Sequence, residues 1–148
     1  MSEKKNVTRR QFIDRSGKVV AGVGAAVLAG PSINVLGANE KVLLGIIGPG
    51  RRGRAVTMLA QQMSSEYNKP LEFIAVADIF EGWREKAVME IERNNMRYEI
   101  EAEHDIQTYD THEKLLENKD IDGVMVATPE HLHAKHMLDV IAAGKDMY

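Results

Sequence analysis

Three short apolar runs and a fourth, weaker one alternate with stretches whose apolar residues recur every three or four positions. "KVLLGII" (41–47), "LEFIAVAD" (71–78) and "IDGVMVAT" (121–128) have strand length, and "IQTY" (106–109) is a short fourth candidate. Behind the first run, Ala55, Met58, Leu59, Gln62 and Met63 lie on one helical face, and "SSEYNKP" is expected to break that helix. Trp83, Ala87, Val88 and Ile91 mark a second amphipathic helix. The polar stretch "NNMRYEIEAEHD" reads as a loop or insertion. Asp110 with Glu113 three residues on is a capping-box-like start for a helix in "THEKLLEN". "PEHLHAKHMLDVIAAG" predicts a last helix, with Pro129 suited to its first turn and Gly144 to its end. Strands alternating with helices imply a mostly parallel sheet covered on both faces, an α/β fold.

The link between the first strand and the first helix carries the chemistry. In "IIGPGRRGRA", Gly48, Gly50 and Gly53 have the G-x-G-x-x-G spacing, which carries weight only between a strand and a helix, as here. Gly48 would permit the tight turn, Gly50 the close approach of backbone to a pyrophosphate, and Gly53 close helix–strand packing. The helix N-terminus would aim free N–H groups at the phosphates. Asp78 ends the second strand, 25 residues past Gly53. An acid there can accept hydrogen bonds from the adenosine ribose, at a distance the "SSEYNKP" segment stretches beyond the usual ~20 residues. Its carboxylate should repel a 2′-phosphate, which favours NAD over NADP, while Arg51 and Arg52 soften that preference. The basic residues 51, 52 and 54 are read as able to touch a small anion.

Charge excludes one class of partner. Residues 1–38 hold six Lys/Arg against two acids, whereas 39–148 hold thirteen against twenty. A main body so acidic is a poor match for nucleic acid, whose binding rests on cationic contacts to phosphate. With no cysteine there is no disulfide frame, thiolate metal site or thiol nucleophile.

The first 38 residues read as an address. Arg9 and Arg10 precede Phe12 and Ile13, and an uncharged stretch rich in glycine and alanine follows from Val19. The order T-R-R-x-F-I resembles a twin-arginine (Tat) export signal, with cleavage expected near Gly37 or Ala38. The apolar stretch Val19 to Ala29 is 11 residues long, well short of the ~20 of a spanning helix. The expected location is therefore exported through Tat, periplasmic or tethered by an uncleaved leader. The dinucleotide-binding domain would occupy 39–148.

Three segments, "GIIGPGRRG", "IAVAD" and "DIDGVMVATPEHLHAKHMLDVIAAGKDMY", together resemble the Gfo/Idh/MocA oxidoreductase family, which includes glucose–fructose oxidoreductase and inositol dehydrogenase. The resemblance implies a Rossmann-like, doubly wound parallel sheet and a nicotinamide cofactor. It also implies that the loop after the fourth strand lies near the nicotinamide, so that Thr128 and Pro129 line the site with His131 and His133 beside it. His131, His133 and His136 are not read as a metal cluster, because 131 and 133 point to different helix faces. His136 reads as a surface or packing residue, and His104 and His112 carry no signal. Family members continue with a fifth strand, a Glu-Lys-Pro motif whose lysine contributes to catalysis, and a second α+β domain. By that measure the chain is truncated before its last strands, lacks the second domain, contains no nameable catalytic residue and should be inactive alone.

Three functions follow as expectations. The first is the NAD(P)-binding part of an exported oxidoreductase acting by hydride transfer on a sugar, polyol or related alcohol. Its partners would be the dinucleotide, a carbohydrate-like substrate and the Tat machinery, and the full-length protein would be a homo-oligomer. The second is an NAD-dependent glycoside hydrolase that oxidises its sugar transiently. The third is a non-enzymatic module that binds a dinucleotide or sugar.

Overall fold

The computed structural model describes residues 41–148, so the export signal expected over 1–38 lies outside the described residues. Five strands, β1 (Val42–Ile47), β2 (Leu71–Ala77), β3 (Gln107–Tyr109), β4 (Gly123–Val126) and β5 (Asp146–Met147), form one sheet in the order β3-β2-β1-β4-β5. Every pairing is parallel. Four helices make the crossovers: α1 (Arg51–Tyr67), α2 (Glu81–Arg97), α3 (His112–Leu116) and α4 (Glu130–Ala142). The chain winds outward from β1 through β2 to β3, then returns to β1's other side with β4 and β5. The expected doubly wound α/β sheet is thus present, with its topological switch between β1 and β4.

Two apolar layers sandwich the sheet. Ile46, Phe73, Val76 and Met125 meet Ala87 and Ile91 of α2 on one face. Ile47, Ile74, Ala75 and Val124 meet Leu115 and Val140 on the other. Each large buried aliphatic side chain contributes about 1.5–3 kcal/mol relative to exposure. The β1–β2 register skips Ile74: Leu44 pairs with Phe73 but Gly45 with Ala75. Ile74 is the extra residue of a bulge, which is why Ile74 and Ala75 belong to the same layer. Gly45 leaves room for Leu115, whose Cδ2 would stand 3.0 Å from a Cβ at that position.

The first helix corrects the amphipathic reading. Met58, Leu59 and Met63 are 38%, 50% and 48% exposed, and the buried face is instead Gly53, Thr57, Gln61 and Ser64. Hydropathy misassigned the face because each buried polar group is satisfied. The Thr57 hydroxyl donates to the Gly53 carbonyl at 2.9 Å. Gln61 Nε2 donates to the Ile91 carbonyl and Asn95 Oδ1, at 3.0 and 2.7 Å, while Asn94 Nδ2 donates to Gln61 Oε1 at 3.1 Å. The Ser64 hydroxyl donates to the Lys69 carbonyl and accepts from the Leu71 N–H.

Helix boundaries shift for related reasons. α1 continues through "SSEY" and ends at Asn68, whose left-handed backbone (φ 50°) closes it. α2 includes "NNMR", because Asn94 and Asn95 are the amides that face Gln61. The loop begins only at Tyr98, and buried Glu72 pins it by accepting the N–H groups of Glu103 and His104. The cap of α3 is Thr111, whose hydroxyl accepts from the Lys114 N–H, and Asp110 pairs with the Lys114 ammonium instead. Pro129 is the N-cap of α4 rather than a residue of its first turn. Among the described residues no helix is long and apolar enough to cross a membrane.

Candidate functional site

In an open parallel sheet, ligands collect beyond the carboxyl ends of the strands at the switch point. A cleft of about 820 Å³ lies there, floored by Ile47, Ala77 and Ala127 at the ends of β1, β2 and β4. The glycine loop forms its centre. The Gly48 N–H donates to the Ala77 carbonyl at 2.9 Å, and the Ala127 N–H to the Ile47 carbonyl at 2.9 Å, so three strand ends are stitched beneath it.

The three glycines differ in what surrounds them. Gly48 has φ +77°, and a Cβ there would sit 2.6 Å from Thr128 Cγ2 and 2.9 Å from the Thr128 nitrogen. Gly53 lies on the sheet side of α1, where a Cβ would meet the Gly48 carbonyl at 2.6 Å and Ala127 Cβ at 3.1 Å. A Cβ on Gly50 would meet nothing within 4 Å. Gly48 and Gly53 therefore serve the turn and the packing, while Gly50 leaves backbone open to the cleft. As the N-cap of α1, Gly50 offers no side-chain acceptor, so the first-turn N–H groups have no cap from that residue.

One wall comes from β2 and α2. Asp78 Oδ1 accepts the Phe80 N–H at 2.9 Å, and the Asp78 carbonyl accepts Arg84 Nη1 at 2.6 Å. Among the described residues the second carboxylate oxygen has no hydrogen-bond partner. Ile79, Phe80 and Trp83 extend this wall with apolar surface; Ile79 is 91% exposed. Arg51 and Arg52 line the rim and are exposed. Arg54 does not line the cleft, since it bonds the Pro49 carbonyl and Glu90.

The opposite wall is built by the N-terminal parts of α3 and α4. Thr128 and Pro129 line it, and two histidines of α4 hold Thr128. His133 Nε2 bonds the Thr128 carbonyl, while His136 Nδ1 lies 3.0 Å from the Thr128 hydroxyl. The cleft is lined by Leu132, Lys135 and His136 of this helix; His131 and His133 lie outside its lining, His131 exposed and His133 behind Thr128.

A charged cluster completes that wall. His112 Nε2 meets Asp139 Oδ2 at 2.8 Å and its Nδ1 meets Glu113 Oε2 at 3.0 Å. The Lys135 ammonium bonds Asp139 Oδ2 at 2.8 Å and reaches Glu113 Oε1 at 3.4 Å, supplying positive charge to the same group. The Lys135 hydrogen bond, then that from His112, holds the Asp139 carboxyl below its ordinary range, and Asp139 in turn holds Lys135 up. The ring of His136 lies 4.3 Å from that of His112. Burial first, then the neighbouring His112 and Lys135, pushes His136 down from its ordinary value.

Of the ten residues expected at the site, Gly48, Gly50, Arg51, Arg52, Asp78, Thr128 and Pro129 line the cleft. Gly53 packs beneath it. Phe80, Trp83, His112, Glu113, Lys135 and His136 also line it, and sequence reasoning had not placed them there. Trp83 carried a faint signal, three residues after Phe80 on a helix. His112 carried none, because only the crossover to β4 brings α3 against α4.

The family model for the oxidoreductase family with an NAD-binding Rossmann fold, Gfo/Idh/MocA, matches residues 42–148. The chain belongs to that family. It is similar to the rhizopine catabolism protein MocA of Rhizobium meliloti, 31% identical over 101 residues, which are 68% of this chain and 26% of the relative. The chain thus spans about a quarter of the length of that curated relative. Among solved structures, its fold is similar to that of the WlbA dehydrogenase of Chromobacterium violaceum, determined with NADH and UDP-GlcNAcA. The TM-score there is 0.58 at 19% identity, over 78% of this chain and 29% of the other. An NAD binding oxidoreductase from Klebsiella pneumoniae gives a TM-score of 0.52 at 24% identity, over 74% of this chain and 26% of the other.

Proposed function

We propose that this chain binds a nicotinamide dinucleotide in the cleft and is the cofactor-binding domain of an oxidoreductase acting on a sugar, polyol or related alcohol. The observation that carries the reading is Gly50, whose missing Cβ leaves open space at the N-terminus of a 17-residue helix. The residues present fit the group. First-turn N–H groups and the Arg51 and Arg52 guanidiniums suit the pyrophosphate. The Asp78 carboxylate oxygen that has no partner among the described residues suits a ribose hydroxyl, and the apolar surface of Ile79 and Phe80 suits the adenine. Thr128, Pro129 and His136 would face the nicotinamide end, with His133 steadying Thr128 from behind. When bound, the nicotinamide supplies a hydride acceptor or donor. The residues of this chain bind and orient it.

Asp78 sets the preference for NAD, because its carboxylate would lie against a 2′-phosphate. The Arg9–Arg10 pair supports export through the Tat route, which carries folded cargo, so a tightly held cofactor loaded before export belongs to the same proposal.

The test is titration of the purified protein with NADH and NADPH, followed by fluorescence. NADH should bind more tightly than NADPH. Asp78→Ala should weaken NADH about 10-fold through loss of charge-assisted hydrogen bonds, and should narrow the gap between the two cofactors. If the unmodified protein binds neither cofactor, the reading fails. If it binds NADH and Asp78→Ala changes nothing, the assignment of the ribose to Asp78 fails.

A further inference from the structure

The run "RRGR" places two arginines on the cleft and turns the third away from it. The Arg54 side chain is only 13% exposed. Its Nη1 donates to the Pro49 carbonyl at 3.1 Å, its Nε donates to Glu90 Oε2 at 3.0 Å, and its guanidinium lies 4.7 Å from the centre of the Trp83 ring. With these three contacts and no place in the cleft lining, Arg54 is not itself an anion ligand.

Its position in the chain says what the first contact does. In a planar trans peptide, the carbonyl and the following N–H point in opposite directions. No peptide bond among the described residues is cis. Arg54 lies one turn into α1 from Gly50, its own N–H donating to the Gly50 carbonyl at 3.0 Å. Drawing the Pro49 oxygen toward Arg54 therefore turns the Gly50 N–H the other way, away from the guanidinium, and Gly50 itself lines the cleft. Glycine is the residue least able to hold such an orientation by itself. Glu90 and Trp83, both on α2, hold the guanidinium in turn.

We infer that Arg54 is a positioning residue for the glycine loop: through the Pro49 carbonyl it aims the Gly50 N–H at a phosphate oxygen of the bound dinucleotide. The inference rests on the dinucleotide reading above. It also makes α2 part of the phosphate site, since the helix that carries Trp83 and Glu90 restrains the arginine that sets the loop.

The experiment compares the unmodified protein with Arg54→Met, which keeps an unbranched chain over Trp83 but removes both hydrogen bonds. NADH affinity is measured at a temperature where both proteins are fully folded, alongside phosphorus NMR of the bound pyrophosphate. Arg54→Met is expected to weaken NADH about 10- to 100-fold, the worth of one hydrogen bond to a charged oxygen. The pyrophosphate resonances should move toward their free positions. A merely structural role would lower the unfolding temperature and leave the resonances of bound cofactor where they are, and that result overturns the inference. Should Arg54→Met not fold, Glu90→Leu carries the test, with weakening of about threefold and the same spectral displacement expected. Unmoved resonances in Glu90→Leu would likewise overturn it. Failure of the unmodified protein to bind NADH removes this inference together with the function it rests on. Normal binding in both unmodified and variant proteins removes this inference alone.

Discussion

Gly48 and Gly50 stand two positions apart and do different work, and alanine separates them. At Gly48, alanine must hold φ near +77° and place its methyl 2.9 Å from the Thr128 backbone nitrogen. The left-handed conformation alone costs roughly 1–2 kcal/mol, and the contact with Thr128 backbone adds to it. Gly48→Ala should therefore lower stability by about 2 kcal/mol or more. Gly50 has φ −60° and open space around it, so Gly50→Ala should shift stability by less than ~0.5 kcal/mol. It should nonetheless weaken NADH, because the methyl enters the space assigned to the pyrophosphate. Urea denaturation beside NADH titration checks the pair, and equal stability losses in the two variants would contradict the division.

At the scale of elements, the α1–α2 contact inverts the usual relation between polarity and burial. Gln61, Asn94 and Asn95 form a buried amide layer in which each side chain supplies what another needs. Leu59 and Met63 lie on the exposed side of α1. Replacing Gln61 with leucine adds apolar character to a buried position, yet it strips partners from the Asn94 amide and the Asn95 and Ile91 oxygens. The expected cost is about 1–3 kcal/mol. Leu59→Gln, which removes an apolar residue, should be neutral within ~0.5 kcal/mol. Thermal unfolding of the two variants is the check, and a stabilised Gln61→Leu protein would refute the layer's role.

Across the whole molecule, one sheet carries both apolar layers, so its unfolding couples the glycine loop to the α3–α4 wall. The burial of His136, and after it the contact with His112, makes that unfolding depend on pH. His136 is held below its ordinary value of 6.5, by burial first and then by His112 and Lys135, with Asp139 and Glu113 opposing. The folded protein keeps it neutral at pH values where the unfolded chain takes up a proton. Its contribution to stability is present above about pH 6.5 and falls as pH descends from there through the lowered folded value. Asp139 and Glu113, held below 3.8 and 4.5, lose their contributions only in more acid solution. Denaturation midpoints should thus begin to fall as pH drops below about 6.5, and His136→Gln should flatten that part of the curve. An unchanged slope in the variant would show that His136 is not the group responsible.

The order and type of the elements from β1 to α4, and the glycine loop between β1 and α1, follow from the sequence alone. Sequence predicts a chain that stops before a fifth strand; the short β5 (Asp146–Met147) is seen only in the sheet, because two residues carry no periodicity of their own. Strand periodicity, strand length and glycine stereochemistry are local properties of the chain. Asp78 was legible for the same reason: it ends a strand whose neighbour carries the loop. The family was legible from contiguous segments around Gly48, Asp78 and Thr128. The buried face of α1 was not, because Gln61 and Ser64 become suitable for burial only when their partners arrive from α2 and from the turn at Lys69, while Thr57 is satisfied within its own helix by the Gly53 carbonyl. His112 and His136 could not be paired from sequence, since they lie on different helices and meet only after the crossover from β3 to β4. Arg54 shows the same limit at one residue. Sequence grouped it with Arg51 and Arg52 by charge, and tertiary structure separated them by direction, because side-chain direction depends on which neighbours the packed helices place within reach.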